Sequence, residues 1–469
     1  MTSAIVVGSG PNGLAAAARL ARAGLDVTVL EANDTIGGGT RSSEMIMPGL
    51  VHDHCSAVHP IAAGSPYLKE LDLAAHGLNW CQPEIDCAHP LDDGTAGVFY
   101  RSVDQTVEAL GVDGRRWRRL FGPLGARLDD LLADATQPVL RIPRHPFLLA
   151  RLGVPAAIPA SVLARCFRTD AARALWGGVA AHTFHRLDWP MTGAVGMTLI
   201  AAGHGEGWVV AEGGSQSIAD ALAADVRQHG GVIETGHRVT SIDDLPQSDV
   251  LMLDVSPSIA ANILGDRLPS RVARAYRRFR HGPGAFKVDF AIDGHVPWSA
   301  EQARSAGTVH LGGDYAEIAS NEKVVHQGSM PERPFVLVGQ QYLADPSRSV
   351  GNVNPLWTYA HVPHGYAGDA TEAIISQIER FAPGFREQIV GTAVCSATEF
   401  SVRNANYVGG DIIGGAATPM QLLFRPRFAL DPYATGVPGT FLCSASTPPG
   451  AGAHGMCGAN AADRALAAL

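Results

Sequence analysis

The stretch from Ile5 to Ser42 constrains this chain more than any other. The apolar run Ile5-Val6-Val7 enters Gly8-Ser9-Gly10-Pro11-Asn12-Gly13, an Ala/Leu/Arg-rich segment of helical character follows, and a second apolar run, Val27-Thr28-Val29-Leu30, ends on Glu31. Strand, glycine turn, helix, strand and terminal acid are the parts of a dinucleotide-binding unit in their working order. Gly8 permits the tight turn out of the strand, and Gly10 has no side chain to keep the backbone from a pyrophosphate. Gly13 lets the helix, which opens at Pro11 and Asn12, pack close to the sheet with its positive end toward the phosphates. Glu31 lies 18 residues beyond Gly13. There a carboxylate accepts hydrogen bonds from a ribose 2′-hydroxyl and repels a 2′-phosphate, which disfavours NADP as the resident nucleotide.

The residues after Glu31 separate FAD from NAD. Ala32-Asn33-Asp34-Thr35-Ile36 leads to Gly37-Gly38-Gly39-Thr40-Arg41-Ser42, a second glycine cluster where backbone amides, the Thr40 hydroxyl and the Arg41 guanidinium can meet the far half of a longer dinucleotide. The pattern resembles that of flavoproteins related to phytoene desaturase, monoamine oxidase and protoporphyrinogen oxidase. In that family the first motif holds the ADP half of FAD, and the later glycines run beside ribityl and flavin.

The C-terminus carries the same resemblance. Gly439 to Cys443 reads as a strand, and Ser444 to Gly458 as a Gly/Pro loop opening a last helix over 459–468. This loop resembles the family's flavin-closing segment, which implies that Ser446, His454, Gly455 and Met456 stand at the flavin and that the helix N-terminus favours reduced, anionic flavin. Two departures are visible. Ser444 stands where relatives usually have Gly, and Pro448 where an aromatic or His is common, so the group facing the flavin is expected to differ.

Between these ends, Gly213-Gly214-Ser215 leads into a helix over 218–229, followed by apolar runs at Val232-Ile233-Glu234, Val239-Thr240-Ser241-Ile242 and 249–255. The resemblance places Val239 beside the adenine; the plain alternative is a buried strand valine. The expected architecture is α/β: a Rossmann-like, doubly wound FAD-binding domain, discontinuous over 1–75, 205–284 and 421–469. An inserted α+β substrate domain with a helical layer, 76–204 and 285–420, completes it, with the active site between the two. A narrower branch, that of the pyridine nucleotide-disulfide oxidoreductase domain-containing flavoproteins and bacterial phytoene-desaturase-like proteins, is resembled at Asn404 to Ile412, Gln421 to Pro426, Ala306 to Gly313 and Trp357 to Pro363. With these the likeness covers most of the chain.

Composition narrows the chemistry. Of 469 residues 46% are hydrophobic and 17% charged, with a net charge of −9, which fits a compact globular protein and disfavours nucleic-acid binding. The seven cysteines are scattered with no C-x-x-C pair. That excludes the closely spaced pair a flavin disulfide reductase needs and points to reduced thiols in a cytoplasmic setting. The first residues lack the basic region of a signal peptide, and no stretch reaches the roughly 18 unbroken apolar residues of a spanning helix.

Three weaker constellations remain. His52, His54, Cys55 and His59 invite a metal reading, but Cys55 would point away from the strand face shared by His52 and His54, and no distant ligand pair completes a set, so no metal is expected. His59 is a candidate contact to cofactor or substrate. Tyr359, His361 and His364 either line a cavity, where they could position a substrate or transfer a proton, or are strand residues whose polar tips bond within a loop. No residue is singled out as the base. Finally, residues 139–168 alternate apolar pairs with arginines, a pattern suited equally to a lipid headgroup layer, a homo-oligomer contact or a solvated helical layer. The implied function is an FAD-dependent oxidoreductase passing hydride between flavin N5 and a hydrophobic, isoprenoid- or lipid-like substrate. A flavin amine oxidase is the alternative, disfavoured by the 7% aromatic content, and a regulatory flavoprotein with structural FAD is the other.

Overall fold

The computed structural model describes residues 2–469. Its nucleotide-binding half is a five-stranded parallel sheet in the order Thr440–Leu442, Val250–Leu253, Ser3–Val7, Asp26–Leu30, Val232–Glu234. Parallel strands need crossovers, which cover both sheet faces, so the central strands Ser3–Val7 and Val250–Leu253 are almost wholly apolar and buried. Ala4 and Val6 face the helices Pro11–Arg22, Gln216–Gln228 and Met456–Leu466, whereas Ile5 and Val7 face Pro257–Leu264 and Ser270–Arg277. The first and last helices touch closely: a Cβ on Gly458 would stand 1.8 Å from the Asn12 carbonyl oxygen.

A second, seven-stranded sheet runs Ile389–Cys395, Gly284–Asp293, Val353–Val362, Val336–Gly339, Ala306–Leu311, Ile85–Pro90, Ala96–Phe99. It is antiparallel except between Ala306–Leu311 and Ile85–Pro90. Side chains alternate across a strand, and here the alternation separates two layers. Val309, Leu311, Val336, Val338, Leu356 and Ala360 build a closed core on one face, while Cys87, Leu337, Trp357 and Tyr359 look toward the helices Asp170–Ala181 and Gly193–Glu206.

One expected strand is missing. Val239 to Ile242 has a β-like pattern, but Gly236 turns the chain at φ +71° and Ser241 opens a short 3-10 turn, bonded to Asp243 and boxed by Asp244. Local side-chain bonding of this kind outcompetes a ladder that has no partner strand. The last helix also begins earlier than expected, at Met456, with Gly455 in the left-handed conformation at its cap.

Candidate functional site

The first helix presents an uncapped N-terminus. Gly10 is extended at the cap, Pro11 fills the first position, and no acidic side chain lies in the first turn. Pro11 has no amide hydrogen and the Gly13 amide is taken by Asp254, so the Asn12 amide and the helix dipole are what remain for an external anion. Gly13 packs against the turn, where a Cβ would stand 2.1 Å from the Gly8 carbonyl oxygen, and the Gly13 amide donates to Asp254 at 2.9 Å. Burial pushes the Asp254 carboxyl up to about 7 against the bond from Gly13, and the charge of Glu31 adds to the rise. Glu31 is anchored rather than loose: Oε2 accepts from the amide and hydroxyl of Ser9 at 3.0 and 2.6 Å, and Oε1 from the amide and side chain of Asn33 at 2.9 and 2.8 Å. The backbone ladder beyond it, His237 amide to Glu31 carbonyl at 2.7 Å, carries the chain on to Val239, a buried loop residue.

These groups open into one cavity of about 400 Å³. Its nucleotide end is lined by Gly8, Gly10, Pro11, Asn12, Glu31, Ala32 and Val239. Its middle is lined by Gly38, Gly39, Thr40 and Ser446, and its inner end by His59, His182, Trp208, Thr308, Trp357 and Tyr359. The cradle fits the FAD that the resemblance implies: the buried Asn12 Oδ1 has no partner within the described residues, and a Cβ on Gly10 or Gly38 would meet Asp254 Oδ2 at 2.8 Å or Gly10 Cα at 3.0 Å.

Seven of the expected site residues stand outside the wall, among them His364, whose Nδ1 lies 2.8 Å from the Gly282 carbonyl. Gly13 lies behind the turn. Arg41 is turned along the backbone, its Nε donating to the Gly38 carbonyl and its Nη2 to that of Arg403. His454 accepts from the Met456 amide at 3.0 Å and, with Gly455 and Met456, packs behind the wall, where Gly455 lies against Ala15. His361 Nδ1 lies 2.7 Å from Glu322 Oε1 and its ring packs tilted against Phe184, so this candidate is tied up in a buried hydrogen bond. Pro448 also misses the wall, which here consists of Ser444, Ala445, Ser446 and 451–453; its carbonyl accepts from the Tyr433 hydroxyl at 3.0 Å.

The histidine-rich segment is dispersed. His52 Nε2 lies 3.1 Å from the Phe290 carbonyl, His54 Nε2 2.7 Å from Ser43 Oγ, and His59 Nε2 2.8 Å from Ser215 Oγ. Burial holds the His59 imidazole down at about 4, so it is neutral. All seven cysteines are free, and Cys55 alone among them lines the cavity.

Several wall-builders escaped the sequence reading. Asp411, fully buried, accepts from the amides of Gly282, Ile413 and Gly415 at 2.9, 3.1 and 2.9 Å and so shapes the loop that puts Ile412, Ile413 and Gly414 in the wall. Asn406 clamps the Asp254 and Ser256 backbone. The low aromatic content also misled: Trp208, Trp357, Tyr359 and Tyr407 are concentrated at this one cavity. Lys287, beneath it, is bonded to Asp289 and lies 5.8 Å from the Trp357 ring.

Residues 6–71 match the family described as NAD(P)-binding Rossmann-like domain. The chain is 24% identical to pyridine nucleotide-disulfide oxidoreductase domain-containing protein 2 of Rattus norvegicus over 98% of this chain and 92% of that one. It is 30% identical to hydroxyneurosporene desaturase of Cereibacter sphaeroides over 56% of this chain and 58% of that one. Among solved structures, putrescine oxidase bound to putrescine shares the fold with a TM-score of 0.62 at 16% identity, covering 99% of both chains.

Proposed function

We propose that this phytoene desaturase-like flavoprotein, with FAD as its cofactor, is an enzyme that takes hydride from, or returns it to, a carbon centre of a hydrophobic, isoprenoid- or lipid-like substrate. The observation that carries the reading is the continuity of one cavity from Glu31 and the first helix to a chamber walled by Val195, Leu199, Trp208, Leu337 and Trp357. When bound, FAD supplies the hydride acceptor or donor at flavin N5. The protein's part is positional. Glu31 and the Pro11–Arg22 N-terminus orient the nucleotide half, with Gly8, Gly10, Pro11, Asn12, Ala32 and Val239 around it. Gly38, Gly39, Thr40 and Ser446 flank the middle, and the apolar chamber excludes water and holds a carbon skeleton. Arg41, Gly13, His454, Gly455 and Met456 act from behind by fixing those wall segments.

The test is anaerobic. The FAD-loaded protein is mixed with apolar substrates, saturated and unsaturated, and loss or return of the visible flavin band is followed. Bleaching by a primary amine alone would replace this reading with the second one, an amine oxidase, which the aromatic walls of Trp208, Trp357, Tyr359 and Tyr407 favour.

Access for such a substrate is proposed through a lipid surface. Ile142 and Phe147 are 92% and 91% exposed in the segment that bears Arg144 and Arg151, an apolar tip flanked by cations of the kind that seats at a headgroup layer. Among the described residues no helix is long and apolar enough to cross a membrane. A second copy of the chain is the other occupant this face would suit.

A further inference from the structure

Within the inner chamber one polar side chain is both open to the space and braced by a chain of buried partners behind it. His182 follows the Asp170–Ala181 helix as its C-terminal cap, lines the cavity and is only partly buried. Its Nε2 lies 3.0 Å from Nε2 of His310, and Nδ1 of His310 lies 3.5 Å from Sγ of Cys87. His310 and Cys87 are both fully buried. The Nδ1 of His182 has no protein partner among the described residues.

The hydrogen-bond count restricts what this chain can present. Two neutral imidazoles that meet nitrogen to nitrogen must share one proton between them. If Cys87 donates to His310, then His310 donates to His182, and His182 carries its proton on Nδ1 toward the chamber. If the tautomers switch together, Nδ1 offers a lone pair instead. Burial holds both rings neutral, His182 down at about 3 and His310 well below its ordinary value, with the neighbouring histidines adding to the effect. A ring so placed is a poor base and a good hydrogen-bonding partner.

The sheet supplies two further unpaired groups. Cys87, Thr308, Gly339 and Trp357 form a row across four strands. Thr308 and Trp357 both line the chamber, both are more than nine-tenths buried, and Thr308 Oγ1 and Trp357 Nε1 have no partner among the described residues. Both atoms are sealed from the open space, so they back the chamber, and the polar contact with a ligand is left to His182. The charged side chains of the wall are elsewhere: Glu31 and Asp254 lie at the first helix, Arg238 follows the Glu31 ladder, and Arg403 lies beside Arg41.

From this we infer that the inner chamber is an oxygen-recognising subsite, in which His182, braced by His310 and Cys87, engages a neutral carbonyl or hydroxyl oxygen of an otherwise apolar substrate. The inference rests on the hydrophobic-substrate reading and sharpens it. Neither an ammonium nor a carboxylate finds a counter-charge there, and a pure hydrocarbon leaves His182 Nδ1 unsatisfied.

The experiment uses the FAD-loaded protein and reads the perturbation of the visible flavin spectrum on titration with geranylacetone, its alcohol, the matching hydrocarbon and decylamine. The expected result is binding of ketone and alcohol at least about tenfold tighter than the hydrocarbon, the worth of roughly one hydrogen bond. His182→Leu abolishes that preference without weakening the hydrocarbon, and His182→Asn restores part of it. Equal binding of ketone and hydrocarbon by the native protein overturns the subsite while leaving the hydrophobic-substrate reading intact, as does an equal loss of both in His182→Leu. Binding of decylamine alone overturns both.

Discussion

Arg348 Nη1 lies 2.6 Å from Asp53 Oδ2, with both side chains at most 1% exposed and the two residues 295 positions apart in the chain. The pair is the centre of a larger clamp. Asp53 also accepts from Ser42 Oγ and the Ser215 amide at 2.6 and 2.7 Å, while Arg348 reaches Asp345 at 3.0 Å and the Ala211 carbonyl at 2.6 Å. The glycine cluster, the returning 211–215 segment and the second sheet are thereby tied at one point beneath the cavity. The Arg348 charge and these hydrogen bonds keep the Asp53 carboxyl below its ordinary range despite its burial.

Removing one partner of such a pair costs more than the pair is worth, because the other charge stays buried. Arg348→Met is expected to destabilise the fold by about 3–5 kcal/mol, measured by denaturant unfolding of the apoprotein. The double variant Arg348→Met/Asp53→Leu should recover part of that loss. A single variant as stable as the native protein would show that the clamp contributes nothing.

The close approach of the first and last helices gives a second expectation. Gly458→Val places side-chain atoms against the Asn12 carbonyl, backbone that cannot yield without shifting the dinucleotide turn. A cost of about 1–3 kcal/mol from overpacking should come with FAD content falling in purified protein. Full loading of this variant would mean that the turn tolerates the displacement.

Asp254 supplies the pH dependence. Its folded carboxyl is raised from 3.8 to about 7, so the native state holds the proton more tightly than the unfolded chain. Its contribution to stability is complete below the unfolded value and is lost as pH rises through about 7. A bound diphosphate adds negative charge nearby and favours the protonated form further. FAD affinity of the native protein is therefore expected to fall as pH rises past neutrality, whereas Asp254→Asn, which can still accept from Gly13, should show a flat profile. Identical profiles in the two proteins would remove Asp254 from the account.

The exposed pair Ile142 and Phe147 makes no core contact that their replacement would break. Ile142→Asp/Phe147→Asp should leave unfolding within about 0.5 kcal/mol of native while abolishing flotation with anionic phosphatidylserine vesicles. Unchanged flotation would refute the lipid-surface proposal. Loss of a dimer on gel filtration in the double variant would assign the same face to a second copy.

What the sequence made legible is what is local. Strand, turn, helix and acid from Ser3 to Glu31 follow from spacing and glycine chemistry, and they fold as read. The loop course of residues 239–242 escaped because a β-like pattern says nothing about whether a partner strand is present, and Ser241 with Asp244 diverts it. His361 was read from its neighbours along the strand, yet Glu322, on another element, decides its role. His182 and His310 stand 128 residues apart, and Asp53 and Arg348 farther still. No periodicity links such pairs; topology does. The aromatic walls escaped for a related reason, since composition averages over the chain while the fold concentrates a few rings at one place.

The two-layer character of the seven-stranded sheet bears on how such a protein can diversify. Thr308, Trp357 and Tyr359 look into the chamber, while Val309, Leu356 and Ala360, one step along the same strands, are sealed in the layer beneath. Exchanges at every second position re-tailor what the chamber accepts and leave the foundation untouched, and the nucleotide cradle, built on a separate sheet, takes no part in the change. Chemistry at the inner end is thus free to drift among cousins that bind their cofactor alike.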